Sequence, residues 1–403
     1  MSIPRRAGRN IFITGLGLSA LSLLAYLTTS SAIGAVLDLR RSGAALGLVA
    51  LVLVLLGMFT SSANGHPRRQ LAAGLAGSVF VLVVCGLFLK LLFLTYHEEE
   101  VRFRNGPIVL AGTLYAPKGE GPFPAVIIVH GAGSGLRAQY GFYARLFASH
   151  GIIGLAYDKR GTGASTGKRW EADYEALSRD TLAGLRFLQA RKEVDSGRVG
   201  LMGISEGEWV GLLAAAAAGD AKFFVAVSPS GRSPADQVLY EVEAELKHQR
   251  IADASISQAL SLNRRLFDFV RTGKGREQLE ADLKAAEREP WYAAAKLPRD
   301  LGSSEDWAWW RSVMDFDPLP VWSRITCPAL LVSGALDRKS PVEDSQDRIR
   351  RALMSAGNTS VTARIFPSAG HGVVEWWLPG HLPPPRFAPG YLNLLLNWVA
   401  AQH

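Results

Sequence analysis

The polar and apolar positions of this chain fall into two textures that change near residue 96. Ahead of that point three long apolar stretches follow one another. Residues 11–37 hold no charge, residues 43–63 read GAALGLVALVLVLLGMFTSSA, and residues 71–95 are interrupted only by Lys90. A helix needs roughly 20 apolar residues to cross a bilayer, so each stretch predicts a transmembrane helix. Lys90 lies near one end of its stretch, where its stem can reach the headgroups. Buried core helices are the alternative, and three such runs in succession do not suit a water-soluble core.

Beyond residue 100 the runs shorten and alternate. VRFRNGPIVLAGTLYAP reads as a hairpin, and PAVIIVH (124–130), GIIGLAYD (151–158), RVGLMG (198–203), KFFVAVS (222–228), PALLVSG (328–334) and VTARIFP (361–367) read as strands. Between them come helical patterns at ARLFASHG, 173–191, 206–218, from about 341, and YLNLLLNWVA at the end. Continuous apolar strands alternating with helices predict a mostly parallel sheet covered on both faces, a doubly wound α/β domain. Between Pro229 and Pro328 the alternation stops, and residues 235–272, 276–296 and 304–314 read as charge-rich helices without a strand. An insertion there sits over the carboxyl ends of the strands, where such sheets bind ligands. The expected organisation is a transmembrane region at 1–96, an α/β domain at 101–403, and a helical cap at 232–320 within it. Among the cap aromatics, Trp307 and Trp310 are candidates for an acyl or aromatic pocket, although the same rings equally suit packing of the cap onto the body.

Charge sharpens the division. Of 44 Lys and Arg only eight precede Tyr96, but so does only one of the 36 acids, Asp38, and nearly all of the net charge of +8 therefore comes from the apolar N-terminal part. Arginines flanking apolar runs fit a bilayer, whereas a nucleic-acid site would need them clustered on the globular part. Membrane lipid is thus the expected partner, and nucleic acid is not. With the N-terminus inside, Arg5, Arg6, Arg9, Arg68 and Arg69 are cytoplasmic, and three crossings leave the α/β domain outside the cytoplasm at a cell membrane. The first run, followed by Thr-Ser-Ser-Ala at 29–32, also resembles a signal peptide, and cleavage would leave the domain on the same side. The two cysteines lie in apolar runs and read as buried free thiols. Neither a metal-ligand spacing nor a phosphate-binding glycine loop is present, so no cofactor and no metal is expected.

The chemistry-bearing signal is Gly203-Ile204-Ser205-Glu206-Gly207, between a buried strand and an Ala-rich helix. A hydroxyl becomes a nucleophile only when exposed and next to a base. A sharp strand-to-helix turn exposes it, and the flanking glycines avoid collisions with neighbouring backbone. A base and an acid belong further along, in the order Ser, Asp, His. Asp337 ends the strand segment PALLVSGALD, and His371 lies in the loop FPSAGHG after the last strand. Asp344, within a helix, is the rival acid. His130-Gly131-Ala132-Gly133 follows the first long strand, and the Ala132 and Glu206 amides are the candidate oxyanion donors. His130 itself reads as a brace for this loop.

The segments HGAGSG, YDKRGTGASTG (157–167) and VDSGRVGLMGISEG (194–207), with the Asp and His segments, resemble the α/β-hydrolase superfamily. Within it the resemblance is to bacterial esterases similar to dienelactone hydrolases and serine aminopeptidases, and to acyl-CoA thioesterases. It covers residue 101 to the C-terminus. It implies a Ser205–Asp337–His371 serine hydrolase acting on a small-molecule ester or acyl substrate, with the Asp158–Arg160 turn as a structural brace. Glu208-Trp209 departs from the small residue usual there, which bears on pocket shape. Aminopeptidase and thioesterase chemistry on the same triad stay open, with Glu206 as one possible anchor for a substrate amine. A non-catalytic membrane receptor is the reading from another class, although such proteins usually lack part of this constellation.

Overall fold

The short apolar runs of the second texture become one eight-stranded sheet. In the computed structural model the described residues are 95–133, 135–375 and 386–402. The expected spans, apart from Thr95, lie outside them, as do Cys85, His66, His381 and His403. Among the described residues no helix is long and apolar enough to cross a membrane. Glu98–Glu375 and Ala388–His403 form one compact unit.

The strands are β1 (Tyr96–Asn105), β2 (Ile108–Pro117), β3 (Phe123–Val129), β4 (Ile153–Tyr157), β5 (Val194–Ile204), β6 (Phe224–Val227), β7 (Ala329–Gly334) and β8 (Val361–Phe366), in the spatial order β1-β2-β4-β3-β5-β6-β7-β8. β2 runs antiparallel to β4, and from β4 to β8 every neighbour is parallel. Helices α1 (Gly141–Ala148), α2 (Tyr174–Gln189), α3 (Glu206–Ala218), α9 (Val342–Ser355) and α10 (Tyr391–Ala400) alternate with the strands, while α4 (Pro234–His248), α5 (Asp253–Thr272), α6 (Arg276–Ala286), α7 (Ala308–Val313) and the short α8 (Leu319–Trp322) lie between β6 and β7. β3, β6 and β7 are buried along nearly their whole length, as parallel strands covered on both faces must be. Their core includes Leu114, Ile127, Leu155, Leu201, Phe224 and Leu331.

Local chemistry sets several element ends. Asp173 caps α2 by accepting the Ala176 amide at 2.7 Å. Ser233 caps α4 (Pro234–His248), with a proline in its first turn where no amide is lost. The expected helix at 235–272 is two helices, α4 and α5 (Asp253–Thr272). Arg250 breaks it in a left-handed conformation at φ 57, and Ile251 N–H returns to Leu246 O at 3.0 Å. That helix end carries no glycine to announce it. The expected helix at 276–296 stops as α6 (Arg276–Ala286), ahead of Pro290, and 304–314 shortens to α7 (Ala308–Val313). These inserted helices bury a core of their own around Leu266, Phe267, Leu283 and Trp291.

Candidate active site

Parallel register brings the carboxyl ends of four adjacent strands into line. Ile204 pairs with Val227, Val227 with Val332, and Gly334 with Phe366. The residues that leave these strands therefore emerge at one edge of the sheet. Ser205 follows β5 directly, Asp337 stands three residues past β7, and His371 stands five past β8.

Ser205 occupies φ 54, ψ −128, an unfavourable region for a residue with a Cβ. Its N–H is held by Val227 O at 3.0 Å, and its carbonyl accepts the Glu208 amide at 2.7 Å. The turn is tight enough that a Cβ on Gly207 would run into the Val129 carbonyl. On the other side, a Cβ on Gly131 would lie 3.3 Å from the Ser205 Cβ. The loop after β3 thus lies directly against the serine.

The three side chains expected from the sequence come together. His371 Nε2 is 2.9 Å from Ser205 Oγ, and His371 Nδ1 is 2.8 Å from Asp337 Oδ2. Asp337 is fully buried on its side chain, and its Oδ1 accepts the amides of Lys339 at 2.8 Å and Ser340 at 3.3 Å. Those bonds leave Oδ2 for the imidazole. An ionised carboxylate only accepts, so Nδ1–H donates to it and Nε2 presents a lone pair to the hydroxyl. Asp344, the rival acid, instead takes Arg232 Nε at 2.8 Å on a half-exposed surface.

The segment after β6 joins these loops, a role that sequence reasoning missed. Gly372 N–H donates to Ser228 Oγ at 2.9 Å, Ser340 Oγ donates to Pro229 O at 3.0 Å, and Trp209 Nε1 donates to Ser230 O at 3.3 Å. The histidine loop, the aspartate loop and α3 are thus tied, one each, to three consecutive residues. Ser228 also holds a positive φ of 52. A serine just past a buried strand carries no signal of such a task.

The other missed residues surround the loop after β3. Lys159, 3% exposed, donates to Gly131 O at 2.9 Å and to Glu206 Oε1 at 2.5 Å. Burial pulls its ammonium below the usual lysine value, against the opposing pull of Glu206. Arg169 donates to Ala132 O at 2.6 Å and also to Gly133 O. Gly131 N–H donates to Tyr140 Oη at 3.0 Å. Lys159 stands inside the YDKRGTGASTG run, so its position was legible although its partner was not.

His130 is wholly buried, with Nε2 bonded to Tyr157 O. Burial, and then the nearby Lys159 charge, lower its imidazole to about 3, so the ring stays neutral and braces the loop. Asp158 and Arg160 brace separate things. Asp158 accepts the Arg137 and Ala164 amides at 2.8 and 3.0 Å, while Arg160 forks onto buried Asp180 with two bonds of 2.6 Å. Glu208 is buried against the Trp322 indole at 3.0 Å, and burial pushes its carboxyl well above the ordinary range. Trp307 donates to Leu301 O at 2.5 Å and packs on the inserted helices' own core. Trp310 packs on that core and also on the cluster holding Val129, Trp209 and Val210, at the start of α3. Cys327 is a half-buried free thiol that burial raises to about 11. Among the described residues no group of three or more His, Cys, Asp or Glu lies together as metal ligands would.

Residues 126–380 match the sequence profile of the Alpha/beta hydrolase family, and the chain belongs to that family. It is 30% identical over 203 residues to the thiohydrolase apmlB of Arthrinium phaeospermum, across 46% of this chain and 63% of that protein. It is 27% identical over 307 residues to the esterase EstD of Thermotoga maritima, across 72% of this chain and 66% of that protein. The chain thus spans just under two thirds of the length of each. Among solved structures, the alpha/beta hydrolase GrgF of Penicillium sp. sh18 superposes with a TM-score of 0.50 at 23% identity, over 76% of this chain and 99% of that one, a likeness of fold.

Proposed function

We propose that this protein is a membrane-anchored serine hydrolase that cleaves carboxylic esters through an acyl-enzyme on Ser205. The observation that carries the reading is the relay Asp337–His371–Ser205, with bonds of 2.8 and 2.9 Å. As Ser205 Oγ attacks the ester carbonyl, His371 Nε2 takes the hydroxyl proton and Asp337 steadies the imidazolium. The amides of Ala132 and Glu206 receive the oxyanion, each such donor contributing about 3–4 kcal/mol to the transition state. His371 then hands its proton to the departing alcohol. A water molecule, deprotonated in turn by His371, releases the acid and restores Ser205.

The esterase name of one relative and the thiohydrolase name of another both fit an acyl-enzyme. An aminopeptidase fits less well, because the Glu206 carboxylate is engaged by Lys159 rather than open to a substrate amine. Of the two tryptophans, Trp310 adjoins the nucleophile turn and takes the acyl-binding role, while Trp307 packs the inserted helices. The apolar stretches ahead of residue 96 support anchoring, and their flanking arginines favour a hydrolase domain outside the cytoplasm. A panel of p-nitrophenyl esters, thioesters and aminoacyl amides, with Ser205→Ala as control, tests the chemistry. Esters cleaved by the wild type and not by the control support the reading. A binding-only receptor would cleave none of them.

A further inference from the structure

We infer that Lys159 is a positioning residue for the oxyanion hole, holding the Ala132 amide in place from an anchor on the side chain of Glu206. The inference rests on the ester-hydrolase reading above and adds a residue to it. Three consecutive carbonyls of the loop after β3 bond to cations: Gly131 O to Lys159, and Ala132 O and Gly133 O to Arg169. A trans peptide is planar, and its N–H points opposite to its C=O. Holding Gly131 O on Lys159 therefore turns the Ala132 N–H away from the lysine. The same loop lies against the Ser205 Cβ at Gly131.

The other end of the lysine is what sets it apart from a surface clamp. Its Nζ meets the carboxylate of Glu206, the residue whose own amide is the second oxyanion donor. The side chain of one donor residue thus fixes the peptide plane of the other. Both partners are nearly buried, at 3% and 7% side-chain exposure, so neither is free to wander. A buried pair of this kind is weak evidence for added stability, since replacement by neutral groups of similar size is often tolerated. Positioning explains it better. Because the pair is neutral as a whole, it acts by fixing geometry and not by adding net charge beside the oxyanion.

Lys159→Met alone would leave a buried carboxylate unpaired and endanger the fold. The informative variant is therefore the charge-balanced double, Lys159→Met with Glu206→Gln, assayed beside wild type in the full chain. The readouts are kcat and KM on p-nitrophenyl butyrate, the inhibition constant of an alkyl trifluoromethyl ketone, whose adduct places an oxyanion in the hole, and the melting midpoint. Misplacing one donor is expected to lower kcat about 100-fold while KM moves less than about threefold. Ketone affinity should weaken in parallel. A pair that merely holds the fold together would shift the melting midpoint and leave kcat and ketone affinity of the folded double variant within about threefold of wild type, which overturns the inference while leaving the hydrolase reading intact. A wild type that neither cleaves the ester nor binds the ketone overturns both.

Discussion

The carboxyl edge of the sheet and the helices inserted between β6 and β7 hold their charges in opposite ways. At the edge, Lys159 and Glu206 pair almost out of solvent, and Asp337 is sealed beneath His371. On the insertion the pairs lie open, as with Arg271 and Asp315, whose side chains are 37% and 55% exposed. An open pair contributes little, because water and salt screen it. A buried group must be matched atom for atom, because an unpaired partner is costly. Each edge residue is therefore constrained by specific partners, as Lys159 is by Gly131 and Glu206, whereas most positions of the insertion are constrained only by which face of a helix they occupy.

Substitutions that remove a matched contact should separate the two regions most widely. Asp337→Asn should lower kcat on p-nitrophenyl esters by about 10⁴-fold, since the amide favours the wrong imidazole tautomer. Asp344→Asn, at the rival position, should leave kcat within about twofold and the melting midpoint nearly unchanged. Gly207→Ala should cost about 3 kcal/mol in a denaturant titration, because its methyl group meets the Val129 carbonyl with no room to yield.

Glu208→Gln probes a buried group of the edge that takes no part in the relay. Its carboxyl is raised in the folded state, so its stabilising contribution is complete below the ordinary 4.5 and declines as pH rises from there. The glutamine variant should melt higher than wild type in neutral and alkaline buffer, with the gain vanishing below about 4.5. His130 acts with the opposite sign: its imidazole is lowered to about 3, so stability is lost as pH falls from 6.5 towards that value. His130→Gln should accordingly flatten the acid limb of a melting-against-pH series. Smallest of all, Arg271→Ala on the insertion should change stability by less than about 1 kcal/mol and leave ester hydrolysis alone.

The same contrast explains what the sequence disclosed. Ser205 and Asp337 were legible because each follows a buried apolar strand, and His371 because its loop follows the last strand; parallel register then brings strand ends together. Gly207 was legible because close backbone approach excludes a side chain. The cation grip on the loop after β3 was not, since Lys159 and Glu206 stand 47 residues apart and no local pattern couples them. Ser228 was hidden for a similar reason, its partner Gly372 being 144 residues away. Within the insertion, helical type was readable but extent was not. The end of α4 at Arg250 is made by backbone bonds with no glycine or proline to mark it, and Trp307 and Trp310 look alike in sequence although only Trp310 also packs on the second cluster.

The central claim is that the Ser205 oxygen is made reactive by the imidazole beside it. Treating the full chain with a fluorophosphonate and mapping the adduct by mass spectrometry tests this most directly. A single phosphonyl group on Ser205, formed by wild type and lost in His371→Ala, is the predicted result. A wild-type chain that stays unlabelled at Ser205 while folded, or that labels equally well without His371, would contradict it.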